Sequence, residues 1–289
     1  MSVLLALGAA ALFALGAVLQ QRAVIDEVAD GADSRLTWRL IRRPFWIAGL
    51  LADMIGAVGQ AVALGIGKLL VVQPLLASYV VFALPLGVVL TGQKVGLRAV
   101  LAATAVAAGL SGFLLLSKPG GGARDAPLLD WLAASAVIVV VISGLMWFAQ
   151  KLDPAPKAAL RGAAAGCAFA LGAALIKEVV TVLQSEGVTA TLADWHFYAA
   201  AFVASATIAL NQLALKAGVL APAVTASVML NSVASVALGV LIFNEQLQAS
   251  SGSVIGSFAS LLLMVGGVLV LAIEEHGSPG DEPEIAETA

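Results

Sequence analysis

From Phe45 to Ile66 the chain runs for 22 residues with a single charge, Asp53. About 20 apolar residues in a helix cross the roughly 30 Å hydrocarbon core of a bilayer. In that medium every backbone N–H and C=O must be satisfied within the segment or a closed sheet. A run of this kind therefore dictates both solvent and secondary structure. It recurs along the 289 residues, at approximately 3–21, 45–66, 69–91, 97–116, 128–149, 160–183, 196–216, 221–243 and 253–273. The expectation is an all-α polytopic membrane protein of about nine transmembrane helices. Composition agrees: 11% of residues are charged and mean hydropathy is +1.01, against about 25% charged in a soluble domain.

The connections are short and carry turn formers or charge. "GGG" at 120–122 follows no predicted strand and reads as a linker, not a phosphate loop. "KLDPAPK" and "QSEGVTATLAD" read as connections too. The tail from 276 to 289 is acidic and rich in Pro and Gly, and is expected to be disordered. The first span lacks a basic region ahead of its apolar stretch, so it reads as a retained span and not a signal peptide. The single cysteine, Cys167, excludes an intrachain disulfide. No basic cluster suits nucleic acid.

Nine spans put alternate connections on opposite sides. Eleven Lys and Arg residues fall on the side of the C-terminus (Arg22, Arg35, Arg39, Arg42, Arg43, Lys94, Arg98, Lys151, Lys157, Arg161 and Lys216), and three (Lys68, Lys118 and Arg124) on the other. The positive-inside rule then sets the N-terminus outside and the C-terminus in the cytoplasm, in the cell (inner) membrane. Residues 34–44, with four Arg and Trp38, suit an interfacial helix at anionic headgroups.

The chain also repeats itself. "FALGAVLQQRAV" (13–24) and "FALGAALIKEVV" (169–180) agree at seven of twelve positions. Downstream, Phe45 and Phe197, Gln60 and Gln212, "LGV" at 86–88 and 238–240, and Gln93 and Glu245 share an offset of 152. Spans 1–4 (residues 1–120) thus recur as spans 6–9 (158–275), with a linker and an unpaired fifth span between them (121–157). Five spans separate each copy from its twin, so the copies run in opposite directions. Such inverted repeats underlie alternating access around a site near mid-membrane.

Polar groups inside spans are expensive and mark candidate pathways. Gly49, Asp53, Gly56 and Gln60 make one stripe on span 2. Asp53 is the candidate for binding a cation, exchanging a proton or pairing with a basic substrate. Its alternative is a carboxyl that locks two helices. Gln73 before Pro74, Tyr79, Asn211, Gln212, Asn231 and Ser232 are the other pathway candidates, with helix–helix hydrogen bonding as their alternative. Lys177 and Glu178 are candidate gating charges, or Lys177 snorkels to the surface. Gly252, Gly256 and Ser260 in span 9 form a small-residue face for packing within the chain, for a homodimer or for a membrane-protein partner. No nucleotide-binding, hydrolase or metal-site motif is present, so neither an enzyme, a cofactor nor a confident metal site is expected.

Residues 42–94, "RRPFWIAGLLADMIGAVGQAVALGIGKLLVVQPLLASYVVFALPLGVVLTGQK", resemble the drug/metabolite transporter (EamA-like) superfamily, specifically its NIPA-type magnesium transporter branch. The carriers of the resemblance are the Arg-x-Pro-x-Trp start, the Gly-spaced second span and the Val-x-Pro third span ending in Gln-Lys. "LGVLIFNEQL" (238–247) resembles the superfamily's last such segment. The resemblance implies a nine-span transporter with its N-terminus outside. Where that branch has Gly-Glu-x-x-Asn, this chain has Gly56-Ala57-x-x-Gln60, so the resemblance carries the fold and the transporter role and not the ion. Three readings stay open: a carrier of a small organic solute, proton-coupled through Asp53; a permease for Mg²⁺ or another divalent cation; and a non-transporting subunit of a larger membrane assembly.

Overall fold

The computed structural model describes residues 1–29, 42–92, 96–117, 119–121, 126–215, 220–247 and 251–274. Helices follow the apolar runs. They are α1 (Ser2–Ala29), α2 (Pro44–Ile66), α3 (Leu69–Leu76), α4 (Tyr79–Thr91), α5 (Leu97–Ser117), α6 (Leu128–Ala149), α7 (Pro154–Glu186), α8 (Val188–Ala193), α9 (Trp195–Leu215), α10 (Leu220–Leu241) and α11 (Ser251–Glu274). Six stretches are long and apolar enough to cross a membrane: 2–23, 44–66, 69–91, 128–149, 154–186 and 195–214. Shorter apolar helices cover 97–113, 226–241 and 255–267, within the intervals expected for spans 4, 8 and 9. The fold is that of a polytopic helical membrane protein.

Several local expectations need correction. The third span is two helices, with Pro74 inside the first. Proline has no N–H, and its ring displaces the carbonyl four residues back. The chain responds with a tight turn in which Ala77 and Ser78 donate to Pro74 O and Leu75 O, three residues back, at 3.2 and 3.0 Å. The sixth span starts at Pro154, well before residue 160. Proline is a good first-turn residue because its missing N–H would have had no helical partner there. A six-residue helix, α8, occupies part of the connection read from 184 to 194. Part of the Gly-rich linker is a strand: β1 (Pro119–Gly121) pairs antiparallel with β2 (Glu245–Leu247), Gly121 opposite Glu245. Most of the basic 34–44 segment and all of the 276–289 tail lie outside the described residues.

Helix α1 packs on α2, α3 and α4; α7 packs on α6, α9 and α10; α10 also lies on α3, and α5 pairs with α11. All eight residues of α3 are buried, and α7 is buried along Ala158–Glu178 on its inner face. Large apolar side chains on α6 and α9, such as Val140 and Phe202, point outward, as lipid-facing residues do. The α5–α11 contact is close because it is built on glycine. A Cβ on Gly109 would meet Ser260 O at 2.5 Å, and one on Gly256 would meet Leu116 Cδ1 at 2.7 Å. The small-residue face of span 9 is therefore turned toward α5 of the same chain.

Candidate functional site

Where α10 ends, Ile242 N–H still donates to Leu238 O at 2.9 Å. Asn244 then takes a positive φ of 48°. Asparagine tolerates this left-handed conformation better than most residues, and it turns the chain into β2. The turn delivers the next side chain, Glu245, to the start of α3. Its Oε1 accepts the N–H of Leu69 at 2.9 Å, and its Oε2 accepts that of Leu70 at 3.0 Å. The first N–H groups of a helix have no partner within it, and they carry the positive end of the helix dipole. A carboxylate satisfies both needs. Lys177 Nζ, from α7, completes the arrangement by donating to Glu245 Oε1. Glu245 is fully buried, and the Lys177 side chain is 12% exposed.

Space for this carboxylate comes from Gly239, whose Cβ would stand 2.7 Å from Glu245 Oε2 and 3.3 Å from Leu70 N. The Lys177 ammonium also lies 4.3 Å from the Phe243 ring centroid, within the range of cation–π attraction. Trp131 stands edge-on to Phe243 at 5.8 Å and to Trp195 at 5.9 Å. His196 is 5.0 Å from Trp131 and hydrogen-bonds Asp194 through Nδ1 at 2.6 Å.

One helical turn past Leu69, Gln73 is 2% exposed. Its Oε1 accepts from Asn231 Nδ2 at 3.3 Å, and Ser235 Oγ donates to Asn231 Oδ1 at 3.4 Å. Among the described residues Gln73 Nε2 has no hydrogen-bond partner. On α10 the positions Ser227, Asn231, Ser235 and Gly239 recur every fourth residue, so they share a face. A Cβ on Gly166 of α7 would meet Asn231 N at 2.9 Å, which brings α7 against the same stripe. Polar groups thus continue from Gln73–Asn231 to Lys177–Glu245 along the contact of α3, α7 and α10.

The other sequence candidates fall elsewhere. Asp53 sits between α1 and α2: its Oδ2 accepts from Gln20 Nε2 at 2.6 Å, and Gly16 leaves room for its carboxyl. Gly49 and Gly56 on the same stripe face α1 through Gln20 and Phe13. Gln60 is half-buried further along α2. Tyr79, half-buried at the start of α4, packs against the core. On α9, Asn211 is half-buried and Gln212 exposed. The Ser232 hydroxyl donates to Val228 O at 3.1 Å, within its own helix. Glu178 is buried beside Lys177 on α7. Sequence reasoning found Lys177, Gln73 and Asn231 as candidates, but it used Glu245 as the repeat partner of Gln93 and as part of "LGVLIFNEQL", not as a site residue. Nothing local marks a residue that caps a helix 176 positions away.

A polytopic helical membrane protein with a buried charge pair and a polar stripe in its core is the class these features define. An uncharacterized protein of Corynebacterium glutamicum is 28% identical over 273 residues, which cover 94% of each chain. No protein-family description matches the chain. No solved structure matches it.

Proposed function

We propose that the chain is a secondary transporter that moves a small solute by alternating access. In this reading nine spans form two inverted four-helix units, spans 1–4 and 6–9, joined by the fifth. The observation that carries it is the Lys177–Glu245 pair on the N-terminus of α3. Two of its parts belong to the second unit and the third to the first. A buried ion pair contributes little net stability over apolar packing, because desolvation offsets the attraction. Its use here is as a gate: Glu245, with Lys177 beside it, closes the N-terminal side of the polar stripe, and its bonds to Leu69 and Leu70 break when the units rock apart. The packing pattern supports the same reading, since α1 meets α2 and α3 as α7 meets α9 and α10.

Asp53 is a weaker coupling group in this reading, because its Gln20 and Gly16 contacts belong to one unit alone. A divalent cation wants several oxygen ligands. Among the described residues no three His, Cys, Asp or Glu side chains gather in one place. With nine spans, the charge asymmetry of the connections argues for a gate on the outer side.

The test is two-sided access. Ser235 is fully buried in the stripe. With Cys167→Ala as background, Ser235→Cys in oriented proteoliposomes is exposed to a membrane-impermeant maleimide from each side. A carrier gives labelling from both sides. Labelling from neither side removes the carrier reading.

A further inference from the structure

We infer that Lys177 is a tethered stand-in for the substrate, and that the substrate is an organic cation with a primary ammonium group. The inference rests on the carrier reading and names the substrate class of the same site. The Lys177 ammonium shows what its position holds: one buried carboxylate, Glu245, on one side and the face of Phe243 at 4.3 Å on the other. Trp131, 1% exposed, backs that ring edge-on. A carboxylate and an aromatic face together recognise an ammonium.

The pair has two members, and the geometry decides which one gives way. Glu245 holds Leu69 N–H, Leu70 N–H and Lys177 at once, on a strand paired with β1. Lys177 has one carboxylate oxygen and one ring, on a flexible four-carbon stem. Lys177 is the mobile partner. A monovalent cation that replaces it leaves the local charge unchanged. A divalent cation would leave one surplus positive charge against the positive end of α3. An anion would have to displace the member held by three bonds.

Gln73 supplies the second observation. Its buried Nε2, one turn past Leu69 along the stripe, has no partner among the described residues. An unsatisfied buried donor is costly, and a substrate bearing a carbonyl or hydroxyl beyond its ammonium would satisfy it. The site thus fits a polar amine in extended form, ammonium at Glu245 and acceptor at Gln73.

The probe is n-butylammonium, which reproduces the lysine terminus, applied to the full chain in proteoliposomes. Wild type is expected to take it up saturably, with no competition from n-butanol, butyrate or Mg²⁺. Lys177→Met, which removes the tethered competitor, is expected to bind it at least about tenfold more tightly, by thermal shift. Should that variant fail to fold, Lys177→Arg serves. Its guanidinium holds the carboxylate more firmly, and the half-saturating concentration is expected to rise about tenfold. Equal affinity in wild type and a folded variant overturns the inference, as does equal competition by butanol or butyrate. If Ser235→Cys labels from both sides and n-butylammonium neither binds nor moves, this inference falls while the carrier reading stands. Labelling from neither side removes both.

Discussion

Glu245 closes the open end of the helix that begins at Leu69, bonding the N–H groups of Leu69 and Leu70 with one oxygen each. The contact joins the end of α10 to the start of α3, and Lys177 of α7 locks it from a third direction. No part of it is supplied by neighbours in sequence. Its energetics therefore report tertiary assembly and not local propensity.

The first prediction concerns removal of one partner. Glu245→Ala leaves a buried ammonium and two helix-terminal N–H groups without their acceptor. Breaking a buried pair costs about 3–5 kcal/mol. Unfolding in detergent should show a loss of that size. Lys177→Met with Glu245→Leu should lose less than the sum of its single changes, because neither charge is stranded. Strict additivity would mean that the two side chains do not act on one another.

Gly239 gives a steric test of the same site. Adding a methyl there forces Glu245 Oε2 from 2.7 Å, and overpacking of this kind costs about 1–3 kcal/mol. Gly144 on α6 has nothing among the described residues within 4 Å of its would-be Cβ. Alanine there should be neutral or stabilising by up to about 1 kcal/mol, through helix propensity alone. If both substitutions have the same effect on melting temperature, the close fit at Gly239 carries no energy.

Much of this architecture is legible in the residues. The apolar run from Phe45 to Ile66 gives α2 to within a residue, because in lipid the helix has no competitor. Leu128–Ala149 matches its expected span for the same reason. Prolines read less well: Pro154 falls in a stretch read as a connection and opens a helix, while Pro74 lies inside a span whose first helix stops two residues later. Their effect depends on where in a helix they fall. Within the site, Gln73 and Asn231 are legible as polar residues in apolar helices. Asp53 is legible in the same way, yet its partners are Gln20 and Gly16. Burial cost says that a polar group has a partner and not which partner. Glu245 lies at a span end, where an acid is ordinary, so the sequence holds no sign of its depth.

Asp53 separates locking from coupling. Asn at position 53 keeps an oxygen for the Gln20 amide, so stability should fall by no more than about 1 kcal/mol. Gly16→Ala drives a methyl into the Asp53 carboxyl and should cost about 1–3 kcal/mol. As a lock, Asp53→Asn leaves solute flux in proteoliposomes near wild type. Loss of proton-driven flux from a folded Asp53→Asn protein would instead make Asp53 the coupling group.

Gln73 distinguishes a residue kept for function from one kept for structure. Its Nε2 has no partner among the described residues, so replacing the amide with methionine removes an existing penalty together with one 3.3 Å hydrogen bond to Asn231. Each is worth about 1 kcal/mol with opposite sign. Gln73→Met should therefore melt within a few degrees of wild type. A pathway residue in that position contributes to solute binding, and losing one hydrogen bond to a solute of about 1.4 kcal/mol lowers affinity about tenfold. Half-saturation for n-butylammonium would report little of this, because that probe has no acceptor to reach Gln73. A four-carbon amine bearing a terminal hydroxyl should show it: wild type should prefer the hydroxylated amine to n-butylammonium, and Gln73→Met should bind the two alike. A preference that survives the substitution would place the acceptor elsewhere along the stripe.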